Sequence, residues 1–330
     1  MSRHRHRMMV GTLILASVAI GVLGIATGSY ALRPGELWDI LLGRSDDIGR
    51  LVVVGLRLPR VVASLGVGAA LGVAGKIFQS LCRNPLASPD LLGFTTGAAT
   101  GALVGILLLG QSGVGIAAGA LIGGSAVSAA VYLLTIRRGL RGERFILAGF
   151  AVSAMLAAFN EYLITRADLE KAEAAKTWLF GSLNGISWPQ IGLLVPGMLA
   201  LLLSARLLWP WLRMLEMGDD LAAGLGLPTR SSRLVLMSVG IGLAALATAL
   251  AGPVHFLALA APPLARGLLR SADAGMAPTA AMGALLLTLS DFLGQHLMAP
   301  FQIPVGLVTG AIGGTYLIFL LTRRTRGAGS

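Results

Sequence analysis

The chain has 330 residues, of which 55% are hydrophobic and only 12% charged, with a formal net charge of +11 and a mean hydropathy of +0.80. About a quarter of the residues of a soluble domain are charged, so this composition excludes a water-soluble globule and describes a chain that crosses a membrane many times. The spans are α-helical, because barrel strands alternate apolar and polar residues over about ten positions, whereas the runs here stay apolar over the length of a spanning helix.

At about 20 residues per crossing, the sequence predicts ten spans near 8–31, 60–82, 91–110, 113–136, 145–165, 188–210, 233–251, 254–268, 277–297 and 303–322. They form an all-α transmembrane domain over 1–330, with approximate halves 1–187 and 188–330. The basic start, "MSRHRHRMMV", precedes an apolar run too long for a signal peptide, and it reads as an uncleaved first helix. Residues 34–50 read as an amphipathic piece in the outer interface, and 166–187 as a polar outer segment that rejoins the membrane near Trp188. The inner segment 211–233 contains "EMGDDLAAGLGLP", short helix-compatible pieces broken by glycine and proline. It reads as a cytoplasmic docking element.

An even number of spans places both termini on one side. With that side cytoplasmic, the inner segments hold 17 arginines: Arg3, Arg5, Arg7, Arg83, Arg137, Arg138, Arg141, Arg144, Arg206, Arg213, Arg230, Arg233, Arg266, Arg270, Arg323, Arg324 and Arg326. Six acids oppose them, Asp90, Glu143, Glu216, Asp219, Asp220 and Asp273, while the rest of the chain is balanced at nine basic and nine acidic residues. This is the positive-inside asymmetry, and it accounts for the basic character without invoking nucleic acid. Trp38, Trp178, Trp188, Trp209 and Trp211 all fall at predicted span ends, as interfacial anchors do. The single cysteine, Cys82, excludes an internal disulfide, and no Cys/His cluster has metal-ligand spacing.

One stretch interrupts the apolar pattern, "RNPLASPDLLGFTTGAATGA" at 83–102. Asn84, Pro85, Ser88, Pro89 and Asp90 predict a tight inner turn, because unpaired backbone is costly inside hydrocarbon. Gly93, Gly97, Gly101 and Gly105 then recur every fourth residue, on one helix face that a neighbouring helix can approach closely. They read either as packing positions or as part of a pathway. A counterpart lies at 251–267, where Gly252-Pro253 breaks the chain and Pro262-Pro263 sit within a short apolar piece. Interruptions in two halves of opposite orientation suggest an inverted repeat, the usual construction of transporters.

Three charged residues other than arginine fall inside predicted spans. Lys76 lies within two turns of the inner end and reads as a snorkelling side chain. Glu161 is near an outer interface, and Asp291 is the deepest, with a structural role hydrogen-bonded to a neighbouring helix favoured over a relay. Arg57 and Arg60 stand on the outer side against the charge trend, suited either to carboxylate recognition or to interfacial snorkelling.

"RLPR" at 57–60, the 68–102 stretch, "AGPVHFLALAAPPLAR" at 251–266 and "IPVGLVTGAIGGTYLIFLL" at 303–321 closely resemble the permease subunits of bacterial importers for ferric siderophores, haem and cobalamin. The motif at 84–102 looks most like the ferric-siderophore branch. The resemblance implies a type II importer fold of ten helices, a dimer with an identical or paralogous permease, two cytoplasmic ATPases that hold ATP and magnesium, and an external siderophore-binding protein. It implies that Arg57 and Arg60 meet acids of that binding protein. It also implies that the loop near 215–227, with Leu215, Gly218, Asp219, Asp220, Ala223, Gly224, Leu225 and Gly226, sits on the ATPase. The second, third, fifth and eighth spans are the candidate pathway. Pro263 stands where the family often has histidine, His255 where a small residue is common, and Gln295 where the cobalamin branch has a third outward arginine.

The chain contains no G-x-x-x-x-G-K-[ST] loop, since its only Gly-Lys pair, Gly75-Lys76, is followed by isoleucine. A non-catalytic permease driven by a partner ATPase is therefore expected. An ion-coupled transporter would place buried carboxylates or histidines at the midplane, and Asp291 alone makes a poor relay. A membrane enzyme would need a nucleophile-base or metal constellation that the sequence does not offer.

Overall fold

The computed structural model describes residues 3–28, 35, 40, 47–89, 93–136, 142–271, 274–299 and 301–327. Trp38, Asp90, Arg137, Arg138, Arg141 and Asp273, which entered the topology argument above, lie outside the described residues, as does most of 34–50. In chain order the main helices are α1 (Arg3–Ala26), α2 (Leu58–Cys82), α3 (Phe94–Leu103), α4 (Val114–Ile136), α5 (Gly142–Arg166), α6 (Leu169–Leu179), α7 (Trp188–Leu207), α8 (Trp209–Met217), α9 (Asp219–Gly224), α10 (Thr229–Ala251), α11 (Leu257–Leu269), α12 (Met276–His296) and α13 (Val305–Gly327). Every predicted span has its helix. Seven helices among the described residues are long and apolar enough to cross a bilayer, while Phe94–Leu108 and Leu257–Leu269 are shorter. At 1.5 Å per residue, the 13 residues of α11 reach only about 20 Å, less than a bilayer core.

Two boundaries differ from expectation. The second span begins before residue 60, because Asp47–Arg50 and a π-helical turn at Leu51–Arg57 run straight into α2, making one apolar helix from Ile48 to Cys82. The last residues of the expected interfacial piece therefore belong to this helix. The polar segment after α5 is also more ordered than its composition indicates, forming α6 before the turn at 181–187.

α2 is the axis of the bundle. From Val67 to Leu81 nearly every residue is buried, including Phe78 and Ile77, and it packs on α7, α10, α11 and α12. Small residues permit this. A Cβ at Gly72 would lie 2.6 Å from the Thr279 carbonyl oxygen, and one at Gly68 would strike the Gly283 carbonyl, so α2 and α12 meet backbone to backbone.

The chain bends sharply between α10 and α11. Gly252 takes φ 71° and ψ −174°, a conformation that other residues rarely adopt, and a Cβ there would lie 2.7 Å from the Trp178 carbonyl oxygen. Ser182 N–H donates to the Ala251 carbonyl (2.8 Å), fixing the break against the turn after α6. Within α11 the adjacent prolines lack N–H groups, which leaves the carbonyls of Ala258 and Leu259 without helical donors. α2 covers both. Gln79 Nε2 donates to the Leu259 oxygen (3.0 Å), and the Ala258 oxygen lies against Gly75, where any Cβ would collide with it.

Candidate functional site

Two polar clusters lie at opposite ends of the helix Ile48–Cys82. At one end Arg60 grips Asp291 of α12. Its Nε lies 3.1 and 3.0 Å from the two carboxylate oxygens and its Nη2 2.9 Å from Oδ1, with the two side chains 12% and 5% exposed. Gln295, one turn along α12, donates its amide to Asp291 Oδ2 (2.9 Å). The other edge of the guanidinium faces outward: Nη1 donates to Asn184 Oδ1 and to Gln302 Oε1, both at 3.0 Å. Arg57 Nη1 donates to the Ile25 carbonyl at the end of α1 (2.6 Å). Trp188 Nε1 donates to the Val54 carbonyl in the π-helical turn (2.7 Å), tying the start of α7 to the same rim. The cluster thus joins α1, α2, α7, α12 and the loops at 181–187 and 301–304.

At the opposite end the connecting segment between α7 and α10 forms α8, a bend at Gly218 (φ 124°), and α9. Its amphipathic pattern buries Leu212, Leu215, Ala222 and Leu227 against the bundle and leaves Met217, Leu221 and Leu225 exposed. Charges lock the buried side down. Lys76 Nζ is 2.9 Å from Glu216 Oε1, Ser80 Oγ donates to the same oxygen (2.5 Å), and the Lys76 ammonium lies 6.0 Å from the Trp209 ring centre. Asp219 Oδ1 accepts from Arg83 (3.1 Å) and from Arg233 (2.6 Å), whose other nitrogen donates to the Leu81 carbonyl (3.0 Å). Arg83 takes a left-handed conformation (φ 49°) that closes α2, and Asn84 Oδ1 accepts from Leu86 N–H (2.9 Å), turning the chain where the sequence predicts a turn.

The arrangement offers two rims, each polar or apolar in its own way, and a stiff buried helix running between them. Among the described residues it presents no catalytic constellation of nucleophile and base. The model of the FecCD transport family matches residues 13–323. The chain belongs to the FecCD transport family. It is 45% identical to the ferric enterobactin transport system permease protein FepG of Escherichia coli (strain K12), over 97% of this chain and 98% of that one. It is 33% identical to the Fe(3+)-citrate import system permease protein YfmE of Bacillus subtilis (strain 168), over 98% of each. Among solved structures, an inward-facing conformation of a metal-chelate type ABC transporter superposes with a TM-score of 0.84 at 26% identity, covering 96% of this chain and 99% of that one.

In this FecCD-family chain the expected site residues fall into three groups. Arg60 and Asp291, 231 positions apart, come together with Gln295, and the carboxylate leaves the Arg60 side chain only 12% exposed. Lys76 does not snorkel. It is buried and paired with Glu216, while Glu161 is exposed on α5. Gly97 and Gly101 pack onto α4, where a Cβ at Gly97 would meet Val127 and the Gly123 carbonyl and one at Gly101 would strike the Gly119 carbonyl. Gly93 instead caps α3 with φ 72°, and Gly105 lies in a π-helical turn with looser neighbours. Pro85 sits in the turn after Asn84, and Gly252, Pro253, Pro262 and Pro263 shape the α10–α11 break.

Sequence reasoning missed Gln79, Asn184, Glu216, Arg233 and Gln302. The Gln79 contact had a signal, since two consecutive prolines leave two carbonyls needing partners. The others depend on pairings across the fold that spacing does not encode.

Proposed function

We propose that the chain is the membrane-spanning permease subunit of an ATP-binding-cassette importer and that its cargo is a ferric siderophore. The similarity to an enterobactin permease over nearly the full length of both chains carries this reading. In it, 1–330 is one transmembrane domain in the bacterial cytoplasmic membrane with both termini cytoplasmic, as the positive-inside asymmetry favours. A second permease, identical or paralogous, completes the pathway. Two cytoplasmic ATPases bind ATP and magnesium, which this chain does not hold, and an external binding protein delivers the siderophore.

The two rims take complementary roles. Arg57 and Arg60 at the outer rim receive carboxylates of the binding protein, with Asp291 and Gln295 holding the Arg60 guanidinium so that its Nη1 edge faces out. At the inner rim the exposed Met217, Leu221 and Leu225, with Asp220, Ala223, Gly224 and Gly226 around them, seat in the ATPase. Exposed leucines outside the hydrocarbon imply a protein partner, and the Lys76–Glu216 and Asp219 contacts carry the movement of that seat into α2. Alternating access then follows ATPase closure.

The test is uptake of labelled ferric enterobactin, haem and cobalamin by an iron-starved deletion strain carrying the wild-type chain or Arg57→Glu. Ferric siderophore uptake that requires the gene and falls in the variant, at equal membrane abundance, is the expected result. Uptake of haem or cobalamin instead of iron assigns a different cargo to the same fold, and no change in any of the three defeats the importer reading.

A further inference from the structure

Between α10 and α11 the chain leaves helical form inside the bundle. A Cβ on Gly181, in the turn after α6, would meet the Pro253 carbonyl, and a Cβ on Gly313 of α13 would strike Phe256, so the break runs from that turn in along α13. Gly313 lies eight residues beyond Val305, the start of α13, so at 1.5 Å per residue Phe256 sits about 12 Å into that span. Gly252, Pro253 and Val254 are buried there, whereas His255 is exposed and Phe256 is 36% exposed. Phe256 also holds a left-handed backbone (φ 63°), a conformation that is costly for a bulky residue and persists only where the surrounding fold imposes it. Among the described residues, the His255 imidazole and the backbone N–H groups of His255 and Phe256 have no hydrogen-bond partner.

Non-helical backbone at this depth is tolerated only against protein or water, so the exposed face of the break does not lie in lipid. Packing that face against protein would bury an imidazole and two amides unpaired, a cost that a water-filled cavity avoids. We propose, on the siderophore-import reading above, that His255 lines the water-filled cargo pathway and favours negatively charged ferric chelates, the tris-catecholates, over neutral tris-hydroxamates. Three catecholate dianions around a ferric ion leave the chelate negative, and three hydroxamate monoanions leave it neutral. An imidazole offers the anion an N–H donor and, once protonated, a charge-assisted hydrogen bond. The Phe256 ring, partly exposed at the next position, offers a face on which a catecholate ring can stack.

The test uses the permease with its partner permease and ATPases in lipid nanodiscs, without the binding protein, so that each chelate is added directly. With the free cysteine removed as Cys82→Ser, His255→Cys should react with a charged, membrane-impermeant thiol reagent. Ferric enterobactin should slow that reaction several-fold, and ferrichrome, a neutral tris-hydroxamate, should not. Binding of radiolabelled ferric enterobactin should weaken roughly tenfold in His255→Ala, the worth of one hydrogen bond to a charged group. His255→Lys should regain part of that affinity, and ferrichrome binding should be the same in all three proteins. A thiol that does not react, a thiol that reacts but is protected by neither chelate, or a His255→Ala loss shared equally by both chelates would each overturn the proposal and leave the siderophore reading standing. Failure of the wild-type complex to import any ferric siderophore would overturn that reading and the proposal with it.

Discussion

The Arg60–Asp291 pair is the most demanding residue-level feature of the bundle. A carboxylate that is 5% exposed in a membrane protein needs its charge met, and Arg60 and Gln295 together supply four donor contacts to it. Removing one partner strands the other. Asp291→Asn or Arg60→Gln should each cost about 3 kcal/mol, while the double variant should lose less than the sum, as read by thermal unfolding in detergent. Because Arg60 meets the Asp291 carboxylate, Arg60→Glu would damage the fold together with any docking, so Arg57 is the cleaner probe of this rim. Glycine contacts make a second residue-scale prediction. Gly101→Val, which forces a side chain onto the Gly119 carbonyl of α4, should cost about 1–3 kcal/mol, whereas Gly192→Ala on α7, with open space around it, should fall within about 0.5 kcal/mol of wild type.

At the scale of elements, α2 ties the halves of the bundle together. It holds α11 through the carbonyls that Pro262 and Pro263 release, and Gln79→Leu should cost about 1 kcal/mol by leaving the Leu259 oxygen unmet, with native folding otherwise retained. It holds α8 through Lys76 and Ser80. In the assembled importer, Lys76→Met should raise the ATP hydrolysed per siderophore transported several-fold, and the exchanged pair Lys76→Glu/Glu216→Lys should restore much of the coupling. A purely structural role for the pair would lower abundance and leave that ratio unchanged.

The elements themselves were legible because hydropathy alone marks a spanning helix, and the ten runs match ten helices. Glycine spacing foretold the α3–α4 seam at Gly97 and Gly101 but not its limits, because the π-helical turn at Val104–Leu108 rotates Gly105 away from the tight contact. The continuation of α2 back to Ile48 was hidden by Gly55 and Arg57, which look like interruptions in composition yet fit a helix with a π-turn. The ion pairs were illegible: Lys76 and Glu216 are 140 positions apart, and only the fold places α8 beneath α2.

For the molecule as a whole, the structure connects two rims through one buried helix. One rim gathers its arginines on carboxylate and carbonyl partners, and the opposite rim displays Met217, Leu221 and Leu225 above a charge-locked base. That construction suits a permease moved by a partner, because a displacement at one rim would be passed along one stiff buried helix to the other. It does not suit ion coupling, for which Asp291, held by Arg60, is already committed. The most direct measurement is siderophore uptake into proteoliposomes containing the permease pair and its ATPase, with the binding protein outside and ATP inside. Uptake that requires ATP and persists when an uncoupler abolishes the proton gradient is the predicted result; uptake that collapses with the uncoupler and proceeds without ATP would contradict the account.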